Sequence, residues 1–69
     1  MDAYREAQRL YGEATMSAAQ GQDRIAQLEQ ALQRIGQLVP QAAADQRAAL
    51  LLMNSSLAEQ IAGLAEGSR

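Results

Sequence analysis

From Tyr4 to Val39 this chain places an apolar or small side chain at every third or fourth position. The series is Tyr4, Ala7, Tyr11, Ala14, Ala18, Gly21, Ile25, Leu28, Leu32, Ile35 and Val39. Steps that alternate between three and four are the heptad rhythm of a helix burying one stripe against a neighbour. The rhythm keeps phase across Gly21, so the spacing predicts one continuous first helix over about 3–35, bent at most at Gly21. A glycine inside a helix costs about 1 kcal/mol relative to alanine. Asp2 can cap the start by accepting a first-turn N–H.

Pro40 is the single proline. Gly36 is placed to end the first helix in a left-handed conformation, and Pro40 suits the first turn of the next. A second helix is then expected over about 41–66. It carries two adjacent seams. One reads Ala43, Arg47, Leu50, Asn54, Leu57, Ile61 and Leu64; the other reads Ala44, Ala48, Leu51, Ser55, Ala58, Ala62 and Ala65. Together, with Leu52 and Met53, they form an apolar face wider than one partner helix can cover.

The expected fold is therefore all-α: an antiparallel two-helix hairpin turning at 36–40, a single unit over 1–69. Facing residues sum to about 78, so that Leu28 meets Leu50 and Gly21 meets Leu57. A longer first helix leaves Tyr4, Ala7, Leu10 and Tyr11 overhanging. Asn54 on a seam admits two readings, an edge position facing water or a buried polar residue that fixes register. Arg47 is expected to reach solvent near the turn.

Composition narrows what such a hairpin can do. With 69 residues, no Cys and no His, neither disulfides nor an ordinary zinc site can reinforce the core. Oligomerisation or docking into a larger body is the remaining route to stability for so short a chain. The expectation is a coiled-coil-like bundle completed by further copies or by a partner. Its interface would use Tyr4, Ala7, Leu10, Tyr11, Ala14, Leu51, Leu52, Ala58 and Ala62.

Catalytic chemistry has little to work with. There is no His, Cys or Lys, and Ser17, Ser55, Ser56 and Ser68 have no base at helical spacing. The five glycines make no phosphate-cradling loop. We therefore expect no enzyme activity, cofactor, metal or small-molecule substrate. The net charge is −2 and the arginines are scattered, which is unlike the basic stripe of a nucleic-acid binder. The longest apolar runs, Ala48 to Met53 and Ala42 to Ala44, fall short of the ~20 residues that span a bilayer.

The segment over 21–35 (GQDRIAQLEQALQRI), a short break, and the segment over 42–60 (AAADQRAALLLMNSSLAEQ) resemble the helical half of the pilus-tip, or minor-pilin, proteins of type IV secretion and conjugation systems, the TrbJ-type family. In that family a Gln- and Ala-rich helix leads through a short turn into a helix with an Asn near its middle. The resemblance, over about 4–64, implies an elongated helical component of the cell envelope. It transfers no functional residue.

The reading is then a non-enzymatic protein–protein interaction or structural module of a larger assembly, of type IV secretion or conjugation kind. The alternative is a small helical adaptor, chaperone or inhibitor that masks an apolar helix of a partner. A complete chain of this sequence has no signal peptide and would be cytoplasmic; an excised piece of a secretion-system protein would belong to the periplasm or cell envelope.

Overall fold

The computed structural model describes residues 2–67, and they are all helix and connection, with no strand among them. Three helices form where two were expected: α1 over Ala3–Thr15, α2 over Gln22–Leu38 and α3 over Ala44–Gly67. A single 3₁₀ turn, Val39–Gln41, joins the last two.

Helix α1 starts as its sequence dictates. Asp2 is extended, and its Oδ1 accepts the Tyr4 N–H at 3.0 Å. That pairs one of the four amide donors a helix start leaves open. Ala3, Ala7, Leu10 and Ala14 are buried at steps of four, three and four. On the outer face, Arg9 pairs with Glu6 and, at 2.8 Å, with Glu13. These contacts raise the Arg9 pKa further, chiefly through the hydrogen bond to Glu6, although surface pairs of this kind add little stability.

The continuous first helix is not what forms, and Gly21 is the reason. It has φ 63° and ψ −134°, a conformation glycine reaches without steric cost and other residues avoid. Here it stands just before α2, with its carbonyl accepting the Ile25 N–H at 3.1 Å. The backbone leaves α1 with partners of its own. Arg24 donates to the Ser17 carbonyl at 3.0 Å and to the Thr15 carbonyl at 3.4 Å, and the Ser17 hydroxyl accepts the Ala19 N–H. Ala18 and Gly21, two members of the supposed seam, are exposed. Their match to the heptad phase is an accident of loop length.

The second turn also differs in detail. Helix α2 runs through Gly36, which is helical and exposed rather than a left-handed terminator, and ends at Leu38. Pro40 sits in the first turn of the 3₁₀ segment, where its missing N–H does no harm. Ala42 is extended and buried, and α3 begins only at Ala44. Arg47 is exposed near the turn, as expected, and its Nε also donates to the Ala42 carbonyl at 3.2 Å and ties the turn down.

This wider turn shifts the register. A Cβ built on Gly36 would lie 3.6 Å from the Asn54 amide nitrogen, so facing residues there sum to 90 and not 78. The pairings of Leu28 with Leu50 and Gly21 with Leu57 are therefore replaced. Helix α1 supports the same register, because the Tyr11 hydroxyl lies 2.9 Å from the Ser56 hydroxyl. Ala14 and Ala31 line one groove, as do Leu10, Arg34 and Leu38, so α1 runs antiparallel to α2 and parallel to α3.

The core is aliphatic. Leu28, Ile35, Leu50 and Leu57 are the largest fully buried side chains, Ala7 is fully buried beside them, and Tyr4, Tyr11, Leu32, Val39, Met53, Ile61 and Leu64 pack around the edge. The molecule measures 39 × 18 × 15 Å. Its long axis matches the ~36 Å expected of the 24-residue α3 at ~1.5 Å per residue.

Asn54 falls within this interface. Its side-chain oxygen is buried without a hydrogen-bond partner. An orphaned polar atom of this kind costs about 1–3 kcal/mol, while an apolar group of similar shape costs nothing comparable. We expect Asn54→Leu to raise the melting temperature by about 4–8 °C for each kcal/mol recovered in a chain of this size. If thermal unfolding showed the variant melting lower, Asn54 would instead have a partner that matters.

Candidate protein-docking face

Helix α3 carries two seams, and the fold uses one of them. On the first, Leu50 and Leu57 are fully buried and Asn54, Ile61 and Leu64 are half-buried. On the second, Ala44, Ala48, Leu51, Ser55, Ala58, Ala62 and Ala65 are all exposed. This second line keeps the three–four spacing over its whole length and stays exposed throughout. Beside it Leu52 is 71% exposed, and Leu51 within it is 54% exposed.

Helix α3 thus carries apolar residues on its outer side as well as on its core side, and the fold covers the core side. Helices with apolar residues on every face are ordinarily enclosed on every face. Leu51 and Leu52 together put two large aliphatic side chains into water at the middle of the stripe. Such contiguous exposed apolar surface marks contact with another molecule more often than isolated exposed leucines do. The alanines and Ser55 make the rest of the stripe shallow, which permits close approach of a second backbone.

The edges of the stripe are charged. Asp45, Glu59 and Glu66, together with Leu52, fall on one line at seven-residue spacing and are exposed. Arg47 lies on the other edge. Across that edge is α2, where Glu29, also exposed, stands seven residues before the Gly36 that meets Asn54.

The interface residues expected from the sequence divide cleanly between the two sides of the molecule. Leu51, Leu52, Ala58 and Ala62 lie on the bare face of α3. Ala7, Leu10 and Ala14 do not lie on a surface at all: they are 0%, 7% and 5% exposed within the chain's own core. Tyr4 and Tyr11 are half-buried against that core. The correction has one cause. The overhang belongs to a straight first helix, whereas the break at Gly21 lets α1 fold back and become the third helix that these residues needed. Ala44, Ala48, Ser55 and Ala65 complete the exposed stripe but were absent from the expected interface, although the second seam already marked them in the sequence.

Between α1 and α2 an open groove has Leu10, Ala14 and Ala31 on its floor and Glu13, Gln27, Gln30 and Arg34 on its rim. Its floor is already 5–7% exposed, so its one large exposed apolar side chain is Met16, 86% exposed at one end and without a second beside it. Helix α3 itself is long and apolar enough to cross a bilayer by length and composition, with a mean hydropathy of 1.2 over an 18-residue window that is 11% buried. Asn54, Ser55, Ser56, Glu59 and Gln60 interrupt that window, which is why no uninterrupted apolar run of this length occurs. Core helices of bundles have the same character.

No group of three or more His, Cys, Asp or Glu side chains that could hold a metal ion occurs among the described residues. No protein-family model, curated protein or solved structure matches this chain.

Proposed function

We propose that this protein is a non-enzymatic interaction module: a small helical bundle that presents the outer face of α3 to another helix within a larger assembly. The observation that carries the reading is the second α3 seam, seven positions in strict three–four spacing, every one of them exposed. A surface under no packing constraint has no reason to keep that spacing in apolar and small residues. The core on the opposite side of α3 holds the face rigid, so little ordering cost is left for the moment of binding.

The likeness to pilus-tip proteins bears on where to look. The matched stretches correspond to α2, the turn and α3, with Asn54 near the middle of α3. A secretion or conjugation pilus is accordingly the first assembly to examine, and an adaptor that masks a partner's helix is the other form the same surface could serve.

The test is photo-crosslinking in the protein's own cells. A photoreactive side chain at Ala58 is expected to yield a discrete protein adduct, while the same group at Gln33, exposed on α2, yields none. Adducts with lipid alone, or equal labelling at both positions, would overturn the proposal.

A further inference from the structure

We infer that the occupant of the bare α3 face is a helix of a different protein, with small apolar residues at three–four spacing and Lys or Arg along the edge that meets Asp45, Glu59 and Glu66. The inference rests on the reading of α3 as a docking face and adds the chemistry of what docks there.

Shape sets the first requirement. Ala44, Ala48, Ala58, Ala62 and Ala65 project one carbon each, so a helix can lie close only if its own seam is also small, toward the short end of the ~8–10 Å range of interaxial distances. Leu51 is the exception and calls for a gap or a small residue opposite it. Close approach in turn brings the flanking charges of both helices within a few ångströms of each other, where they count most.

Charge sets the second requirement and decides against a second copy. The edge formed by Asp45, Glu59 and Glu66 contains no basic residue. In an antiparallel pair of α3 helices the like edges meet, which sets acid against acid. In a parallel pair this edge would meet the α2 side of the other copy, where Glu29 stands and the one cation, Arg47, could serve Asp45 alone and leaves Glu59 and Glu66 without a basic partner. Both arrangements leave acids facing acids or no partner. A foreign helix with a basic edge has neither defect, and its attraction to a chain of net charge −2 also speeds encounter.

The probe is a synthetic helical peptide of matching length, about 22 residues or ~32 Å. It carries Ala and Ser at the seam and either Lys or Glu on its flanks. By fluorescence anisotropy with the whole chain, the Lys-flanked peptide should bind at least about tenfold more tightly than the Glu-flanked one. The difference should largely vanish at about 1 M salt, where the screening length is only ~3 Å. Ala58→Arg should abolish binding without altering the circular dichroism spectrum, and Glu59→Gln with Glu66→Gln should erase the preference while keeping the fold.

Equal or tighter binding of the Glu-flanked peptide would overturn the inference. So would a doubling of the chain's mass in sedimentation that Ala58→Arg reverses, since the occupant would then be a second copy. Binding of the chain to neutral phosphatidylcholine vesicles, with neither peptide bound, would overturn it as well. Protein adducts at Ala58 combined with no charge preference among the peptides would sink this inference alone and leave the interaction-module reading standing.

Discussion

Leu28→Asp and Leu50→Asp are each expected to leave the chain unfolded at room temperature, while Leu51→Asp leaves it as helical and as stable as before. All three put the same carboxylate into an apolar part of the sequence, and Leu50 and Leu51 are neighbours. The difference lies in what surrounds them. Leu28 and Leu50 are 0% exposed, in a core whose fully enclosed residues are all apolar. Losing a buried leucine side chain alone costs about 2–5 kcal/mol, and the buried acid adds its own desolvation cost. Against a total stability of about 3–10 kcal/mol for a chain of this length, the sum is decisive. Leu51, 54% exposed on the bare stripe, has little packing to lose, and surface changes of this kind usually stay within about 0.5 kcal/mol. Circular dichroism with thermal melts would check all three. A Leu51→Asp variant as unfolded as Leu50→Asp would mean that the stripe is part of the core and that this arrangement of helices is wrong.

Gly21→Ala carries the second large effect, and its sign separates two folds. Were Gly21 in the middle of one long helix, alanine would stabilise it by about 1 kcal/mol. In the structure Gly21 has φ 63° and precedes α2, with nothing within 4 Å of where a Cβ would stand. No clash opposes alanine there, so the backbone conformation alone decides. An L-residue held in that region loses about 1–3 kcal/mol. At ~4–8 °C per kcal/mol for a domain of this size, the melting temperature should fall clearly. D-alanine at the same position, accessible by chemical synthesis, favours positive φ and should act in the opposite direction. If Gly21→Ala melted higher, the break between α1 and α2 would be lost.

The same break recasts the aromatic residues. Tyr4 and Tyr11 were expected to support assembly between molecules, yet Tyr11 reaches Ser56 of α3 within the chain, and Gln60 donates to that same hydroxyl at 3.3 Å. Tyr11 braces α1 against α3, and Tyr4 packs against the core. The expected interface residues that remain exposed lie on one face of one helix, α3.

Helical class, the cap at Asp2, the position of Pro40 in a turn and the double seam of α3 were all legible without coordinates. Each follows from local chemistry: side-chain spacing along a helix, one carboxylate able to accept one N–H, a ring that fixes φ. The interior half of the interface prediction was not legible, because spacing records which residues seek cover and not what covers them. Ala7, Leu10 and Ala14 read the same whether a foreign helix or their own α2 and α3 lie above them.

By itself, then, the sequence determined that these residues would be helical and which faces of the helices would be apolar, since both depend on neighbours a few residues away. Tertiary structure decided that the chain breaks at Gly21, that facing residues sum to 90 at Gly36 and Asn54, and that the second α3 seam stays bare. Those outcomes depend on comparing whole arrangements. A glycine that could sit in a helix at a cost of about 1 kcal/mol takes the left-handed region instead, because doing so buries Ala7, Leu10 and Ala14, and no local pattern carries that balance.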